Sequence, residues 1–218
     1  MSRLDDFLSH HIENYLYYDI RFMQRDDDTG GGVGFPMLMT CCAGIEFLGA
    51  LRSTSIFRAH GAGKDYFADY WESCLYPNPS PHNGRHTAVY QLVRHGIAHS
   101  YFTKGNIGVV RKKPQCHFTL DPKTGMLLID AVLLGEDLIR SYQLYVQPIL
   151  TDPARANEKA NMESRLSEME TEFANQASKH AVKVSATSFA KTTGPQGPSG
   201  PITRSAAVGD GSGPTGPV

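Results

Sequence analysis

The chain has 218 residues and a mass of 23.9 kDa, a size that suits one domain with an appendage or two small domains. Its 21 Lys and Arg residues balance 22 Asp and Glu residues, which argues against binding of nucleic acid by bulk charge. With 40% hydrophobic and 20% charged residues, the chain can bury a core and is not disordered throughout.

The N-terminus and the longest apolar stretch both indicate a cytoplasmic protein. The first residues, MSRLDDFLSHHIENYLYYD, carry acids and histidines where a signal peptide needs an apolar core. The apolar stretch from Phe35 to Leu51 is interrupted by Glu46 and is shorter than the ~20 residues of a membrane span. We therefore expect no membrane segment, and we expect the 4 cysteines to be buried free thiols.

Hydrophobic periodicity predicts four helices in the first half of the chain. An apolar stripe predicts the first, over Leu4 to Gln24. The second, Met37 to Arg52, is apolar nearly all round, which is typical of a central buried helix. An aromatic helix over about Lys64 to Leu75 ends at the proline-rich YPNPSP stretch, and a fourth helix runs from about Arg85 to Phe102.

The pattern changes after the fourth helix. Short β-prone runs at Ile107 to Arg111, Cys116 to Leu120 and Met126 to Ile129 are separated by turn signals, which predicts an antiparallel meander over about 107–129. A helix over about Leu133 to Leu150 completes a predicted domain of residues 1–150. The predicted fold class is mainly α: a helical bundle with a small antiparallel β insertion before its last core helix.

Two segments follow the predicted domain. Residues 151–184 contain a polar helix, from about Asp152 to His180, with so few apolar residues that we expect it to be exposed or to form a dimer arm. Residues 185–218 are rich in Gly and Pro, with Phe189 as their only aromatic residue. Such a segment cannot bury enough apolar area to offset its ordering entropy, so we expect a disordered tail.

The residues best suited to chemistry lie on the fourth helix, in AVYQLVRHGIAHSYF (Ala88 to Phe102). Spacings of one, four and five residues place Arg94, His95 and His99 on one flank of a helix. Cleavage of RNA through its own 2′-hydroxyl needs a base, an acid and a cation for the phosphorane. Histidine can serve as base or acid near neutral pH, and arginine pairs with phosphate oxygens. The segment therefore predicts part of a metal-independent ribonuclease site, which a two-fold dimer would double.

Residues after this helix flank extend the candidate site. Lys104 and Arg111 belong to a basic cluster suited to RNA phosphates, although most such clusters are only solvated. Tyr101 is suited to stacking on a base, although packing in the core or in a dimer is its alternative role. Lys104, Tyr101 and Arg111 are therefore the candidate substrate-binding residues.

The same segment resembles a known protein family. RHGIAH (Arg94 to His99) resembles the R-x4-6-H motif of HEPN (higher eukaryotes and prokaryotes nucleotide-binding) domains, with His95 as the polar residue after the arginine. The helix CCAGIEFLGAL, an aromatic helix ending in YWESCLY, and LVRHGIAHSYFTKG follow in the order of bacterial HEPN-like proteins of unassigned function. The resemblance covers roughly Met37 to Ile149.

This resemblance implies an activity, a site and partners. Catalytic HEPN members are dimeric, metal-independent ribonucleases, often toxins or defence effectors, so it implies a homodimer that acts on RNA and associates with an antitoxin. It implies Arg94 and His99 as the catalytic pair, with His95 in support, and no metal or cofactor. Because other HEPN proteins only bind nucleotides or partners, the alternative is a non-catalytic nucleotide- or RNA-binding or dimerisation module.

A second resemblance points to phosphoryl transfer. YQLVRHGIAHS is similar to the LVRHG signature of the phosphoglycerate mutase and phosphohistidine phosphatase group, in which His95 would be the phosphorylated nucleophile and Arg94 a phosphate ligand. In that group the motif follows the first strand of an α/β fold, whereas predicted helices precede it here.

Two further interpretations need no catalysis on RNA. His95 and His99 have the i, i+4 spacing of metal ligands, but no carboxylate accompanies them and Arg94 would repel a cation. His82 and His86 repeat the spacing, also without a carboxylate. In a purely structural role, Arg94 would pair with Glu46 across the bundle.

Overall fold

A computed structural model describes residues 2–25, 32–58, 60–94, 96 and 106–180 of the chain. Met1–Ser178 forms one compact unit, and the second unit, Lys179–Val218, lies almost wholly outside the described residues. The predicted mainly α fold class is confirmed, because helices form most of the described chain and one three-stranded sheet accompanies them. The segment 185–218, predicted to be a disordered tail, lies outside the described residues.

The first three helices lie close to their predicted positions and the fourth begins close to its predicted start, while its predicted end at Phe102 lies outside the described residues. Helix α1 comprises Arg3–Phe7, Leu8–Leu16 and Tyr17–Arg25, of which the middle segment has wider π-helical turns, and α2 is Gly34–Arg52. Helix α3 comprises Gly63–Tyr70 and Trp71–Leu75. Helix α4 comprises Asn83–Arg85, His86–Ala88 and Val89–Arg94, and Gly96 is also helical.

Two helices follow the sheet. Helix α5 comprises Ala131–Ser141, Tyr142–Val146 and Gln147–Thr151. A single 3-10 turn, Pro153–Arg155, leads into α6, Ala156–His180.

Helix α2 forms the centre of the bundle, as its apolar sequence predicts. Its residues Met37, Cys41, Ile45 and Leu48 are fully buried, and α2 packs against α3 and α5. A Cβ atom at Gly49 would lie 2.6 Å from the carbonyl carbon of Tyr66, so glycine allows the backbones of α2 and α3 to approach closely.

The length of α2 corrects one expectation. With 19 residues, Gly34–Arg52 is long and apolar enough to cross a membrane, and it is the one such helix among the described residues. The prediction that this stretch is too short is therefore wrong. However, 61% of its most apolar window is buried inside the fold, as in the core helix of a soluble protein.

The β insertion is a mixed sheet, so the predicted antiparallel meander is wrong for one strand pair. Strands β1 (Ile107–Val110), β2 (Thr119–Leu120) and β3 (Leu127–Asp130) have the order β1-β3-β2. β3 pairs with β1 in parallel and with β2 in antiparallel orientation. The central strand, β3, carries the buried Leu127 and Ile129 and leads directly into α5.

Helix α6 packs on the bundle, although its polar composition predicts an exposed helix or dimer arm. Met162, Leu166 and Met169 recur at helical spacing and are buried. Arg165, also buried, donates to the carbonyl of Ser53 at 2.9 and 3.3 Å, where α2 ends. These contacts place α6 against the loop between α2 and α3.

Candidate functional site

Two of the six predicted site residues lie in the described part of the chain. These are Arg94, predicted to be catalytic, and Arg111, predicted to bind substrate. The other four, predicted as two catalytic and two substrate-binding residues, lie outside the described residues: His95, His99, Tyr101 and Lys104.

Arg94 forms an ion pair with α2. The α4 helix is anchored by the buried side chains of Val89 and Val93, and Arg94 Nε donates to Glu46 Oε2 at 3.2 Å. This is the pair that the structural interpretation predicts. The side chains of Arg94 and Glu46 are 30% and 26% exposed, so the pair is neither buried nor free in solvent. The pair uses one N–H of a guanidinium that has five, so Arg94 keeps donors for an incoming phosphate.

The Glu46 carboxylate is packed against the start of α3. A Cβ atom at Gly63 would lie 2.9 Å from Glu46 Cδ and 2.8 Å from the Tyr90 hydroxyl, so a larger residue here would require both side chains to shift. The N-terminal end of a helix favours negative charge. The Glu46 carboxylate therefore lies between the Arg94 guanidinium and the α3 terminus.

Cys42 is close to this pair but is not suited to nucleophilic chemistry. The thiol is fully buried, and burial raises the pKa of Cys42 to about 12, although the nearby Arg94 charge acts in the opposite direction. A thiol with so high a pKa stays protonated at neutral pH and does not react as a thiolate. Cys42 therefore belongs to the core.

A cleft of 270 Å³ opens beside the ion pair, and Arg94 and Glu46 form part of its lining. The cleft is bounded by α2, the loop 53–62, the start of α3, and α6. Aromatic rings and the exposed Arg58 supply much of the remaining wall; the rings belong to Phe47, Phe57, Tyr66 and Phe173. No local signal in the sequence identifies these residues, because they come from separate elements that meet only in the fold.

Arg111 lies at the other end of α2. Its Nη2 donates to the carbonyl of Met23 at 2.9 Å, near the C-terminus of α1, and its aliphatic stem lies beside Gly34. Glu46 is twelve residues further along α2, which corresponds to about 18 Å of helix. Within one protomer the structure therefore does not bring Arg111 to Arg94, and it gives Arg111 a structural contact.

The members of the second histidine pair, His82 and His86, contact different residues. His86 Nδ1 lies 3.1 Å from a Glu72 carboxylate oxygen, whereas the His82 ring packs edge-on against Tyr76 with centroids 5.2 Å apart. Among the described residues, no three His, Cys, Asp or Glu side chains converge as a metal site.

A buried hydrogen-bond chain links the β insertion to the helices. The Asp130 N–H donates to His117 Nδ1 at 3.2 Å, so Nε2 carries the proton of the neutral ring. Nε2 then donates to the Tyr76 hydroxyl at 3.0 Å, which donates to Asp137 at 2.8 Å. Burial, assisted by a neighbouring histidine, lowers the pKa of His117 to about 4, which keeps the ring neutral. His117 is buried and Asp137 is partly buried, so this chain stabilises the contact between the β insertion and the helices.

The chain matches no protein-family model, and no curated protein or solved structure matches it. The HEPN assignment therefore stays a prediction from the motif and the order of the helices. The phosphatase alternative expects a strand before the motif, whereas the described residues that precede Arg94 form helices and loops without a strand.

Proposed function

We propose that the protein is a cytoplasmic, metal-independent endoribonuclease of HEPN type that acts as a homodimer. The observation that carries the proposal is the position of Arg94, whose side chain is 30% exposed and lines an aromatic cleft. A guanidinium at the edge of such a cleft is suited to a phosphodiester whose neighbouring base is unpaired. Association with an antitoxin, as a toxin or defence effector, belongs to the same proposal.

In this proposal the 2′-hydroxyl of the RNA attacks the adjacent phosphorus atom. A histidine base takes the 2′-hydroxyl proton, and a histidine acid gives a proton to the leaving 5′-oxygen. His99 supplies one of these roles with His95 in support, and the dimer mate supplies the other. Arg94 neutralises the charge that develops on the phosphorane, and the products carry a 2′,3′-cyclic phosphate and a 5′-hydroxyl.

One observation favours a second candidate, the non-catalytic nucleotide- or RNA-binding or dimerisation module. The Glu46 carboxylate accepts a hydrogen bond from Arg94 Nε at 3.2 Å. A permanent pair would leave Arg94 as part of the bundle and the motif without activity. The two candidates therefore differ in whether a phosphate competes with Glu46 for Arg94.

Incubation of the purified protein with a structured RNA in EDTA tests the proposal. We expect cleavage by the wild type and by Arg85→Ala, a control that removes an exposed arginine of the same helix. We expect no cleavage by Arg94→Ala or His99→Ala. Absence of cleavage by a folded wild-type dimer would favour the non-catalytic module, and cleavage by His99→Ala at the wild-type rate would show that the site is wrong.

A further inference from the structure

The cleft beside Arg94 contains aromatic side chains that the cleavage chemistry does not use. Phe47 of α2, Phe57 of the loop 53–62 and Phe173 of α6 line one 270 Å³ cleft together with Arg94. Phe173 is 49% exposed, so its ring is accessible to a ligand in the cleft. We define these three rings as the aromatic wall.

The ring of Phe57 is held in place from several sides. Its backbone N–H donates to Glu168 Oε2 at 3.2 Å, and its ring lies parallel to Tyr66 with centroids 6.2 Å apart. The Arg165 guanidinium lies 6.0 Å from the ring centroid. Phe173 meets Phe57 edge-on at 5.9 Å. Because these contacts fix the ring of Phe57 before a ligand arrives, little of its side-chain entropy is lost on binding.

The composition of the cleft matches one nucleotide. Arg94 and the exposed Arg58 supply positive charge for a phosphate, while the aromatic wall supplies faces for a base. Small-molecule pockets have volumes of about 300–1,000 Å³. The 270 Å³ cleft lies just below this range, so it suits a single base and not a duplex. A base can enter such a cleft only when it is unstacked, as in single-stranded RNA and loops.

We propose that the aromatic wall binds one unpaired base of single-stranded RNA, next to the phosphate that Arg94 contacts. This inference rests on the proposed function for its substrate and adds a base-binding subsite formed by Phe47, Phe57 and Phe173. Because the chain has balanced charge, bulk electrostatic attraction adds little affinity for RNA. In this proposal, stacking of the base on the aromatic wall supplies the affinity that one arginine alone does not.

Binding of a short, fluorescein-labelled, single-stranded RNA with 2′-O-methyl ribose tests the subsite, because this RNA cannot be cleaved through its 2′-oxygens. We expect Phe173→Ala to weaken binding at least about fivefold, since one stacked base is worth that much or more. Phe22→Ala is the matched control, because Phe22 is 64% exposed on α1 and lies outside the cleft. We expect it to bind RNA like the wild type.

Two further variants separate stacking from general apolar contact. Phe173→Trp keeps a flat ring and should retain wild-type affinity, whereas Phe173→Leu keeps apolar volume without a ring and should bind like Phe173→Ala. Equal melting temperatures of the variants would show that the fold is intact. Equal affinity of Phe173→Leu and the wild type would overturn the stacking role.

The outcomes distinguish the subsite from the proposed function. If Phe173→Ala binds like the wild type while Arg94→Ala binds weakly, the subsite is wrong and RNA binding at Arg94 stands. If binding depends on Phe173 but no RNA is cleaved in EDTA, the subsite stands and the catalytic proposal is wrong. If the folded wild type binds no RNA, or binds a free mononucleotide as tightly as the RNA, the subsite is wrong.

Discussion

Gly49→Ala tests the close packing of α2 against α3, on which the position of Glu46 depends. The added methyl group would lie 2.6 Å from the carbonyl carbon and 3.2 Å from the Cα atom of Tyr66, where 3.4–4 Å is ordinary contact. Both atoms belong to the backbone, so no side-chain rotation relieves the overlap. The carbonyl oxygen of Tyr66 would lie closer still, so the two helices must separate by more than ~1 Å in a core that is packed at crystal density.

The cost follows from overpacking. Such substitutions cost about 1–3 kcal/mol, and a backbone clash belongs at the upper end of that range. Alanine regains up to ~1 kcal/mol of helix propensity, which leaves a net loss of about 2 kcal/mol. For a domain of this size that loss lowers the melting temperature by about 4–8 °C. Thermal unfolding followed by circular dichroism measures it.

Gly84→Ala is the matched control for this substitution. Gly84 lies in the first turn of α4, and a Cβ atom there meets nothing within 4 Å. We therefore expect the control to keep the wild-type melting temperature or to raise it slightly. If Gly49→Ala matched Gly84→Ala in stability, the close approach of α2 and α3 would be refuted.

Three other predictions concern stability and the ion pair. Asp130 caps α5 by accepting from the backbone N–H groups of Val132 and Leu133, so Asp130→Ala should cost about 1–2 kcal/mol in urea unfolding. An unchanged free energy of unfolding would contradict the cap. Unfolded histidine titrates near ~6.5, whereas burial lowers the pKa of folded His117 to about 4, so the unfolded state alone gains a proton between these values. The free energy of unfolding should therefore fall by on the order of 3 kcal/mol as the pH drops from about 6.5 to 4, which urea titrations measure. His117→Gln should flatten this dependence. The wild-type dependence in that variant would show that His117 is not the group responsible. Glu46→Gln should lower the free energy of unfolding by less than ~1 kcal/mol, and it should strengthen RNA binding because Arg94 is released. Weaker RNA binding by this variant would argue against competition between Glu46 and a phosphate for Arg94.

The helices are the part of the fold that local sequence determines. The second predicted helix, Met37 to Arg52, differs from the observed Gly34–Arg52 only at its start, because apolar residues continue through the helix on every side. In α6, by contrast, the stripe formed by Met162, Leu166 and Met169 is short and is set among charged residues. Average composition therefore predicts an exposed helix, whereas residue spacing shows the buried face.

Strand partners and the cleft depend on contacts between distant segments. The runs at 107–111, 116–120 and 126–129 indicate strands, but nothing in them determines that β3 lies between the other two. The ion pair of Arg94 with Glu46 was predictable because both residues lie on well-defined helices. Phe57 and Phe173 join the same cleft from a loop and from α6, and no periodic pattern links them.

The most direct test of the central claim compares two versions of one RNA in EDTA. Once the cleaved position is mapped, the same RNA is made with a 2′-deoxyribose at that position, and both are incubated with wild type and His99→Ala. We predict cleavage of the ribose form by the wild type alone, with a 2′,3′-cyclic phosphate at the new end. Cleavage of the deoxy form, or a new 3′-hydroxyl end, would contradict attack by the 2′-hydroxyl and with it the proposed mechanism.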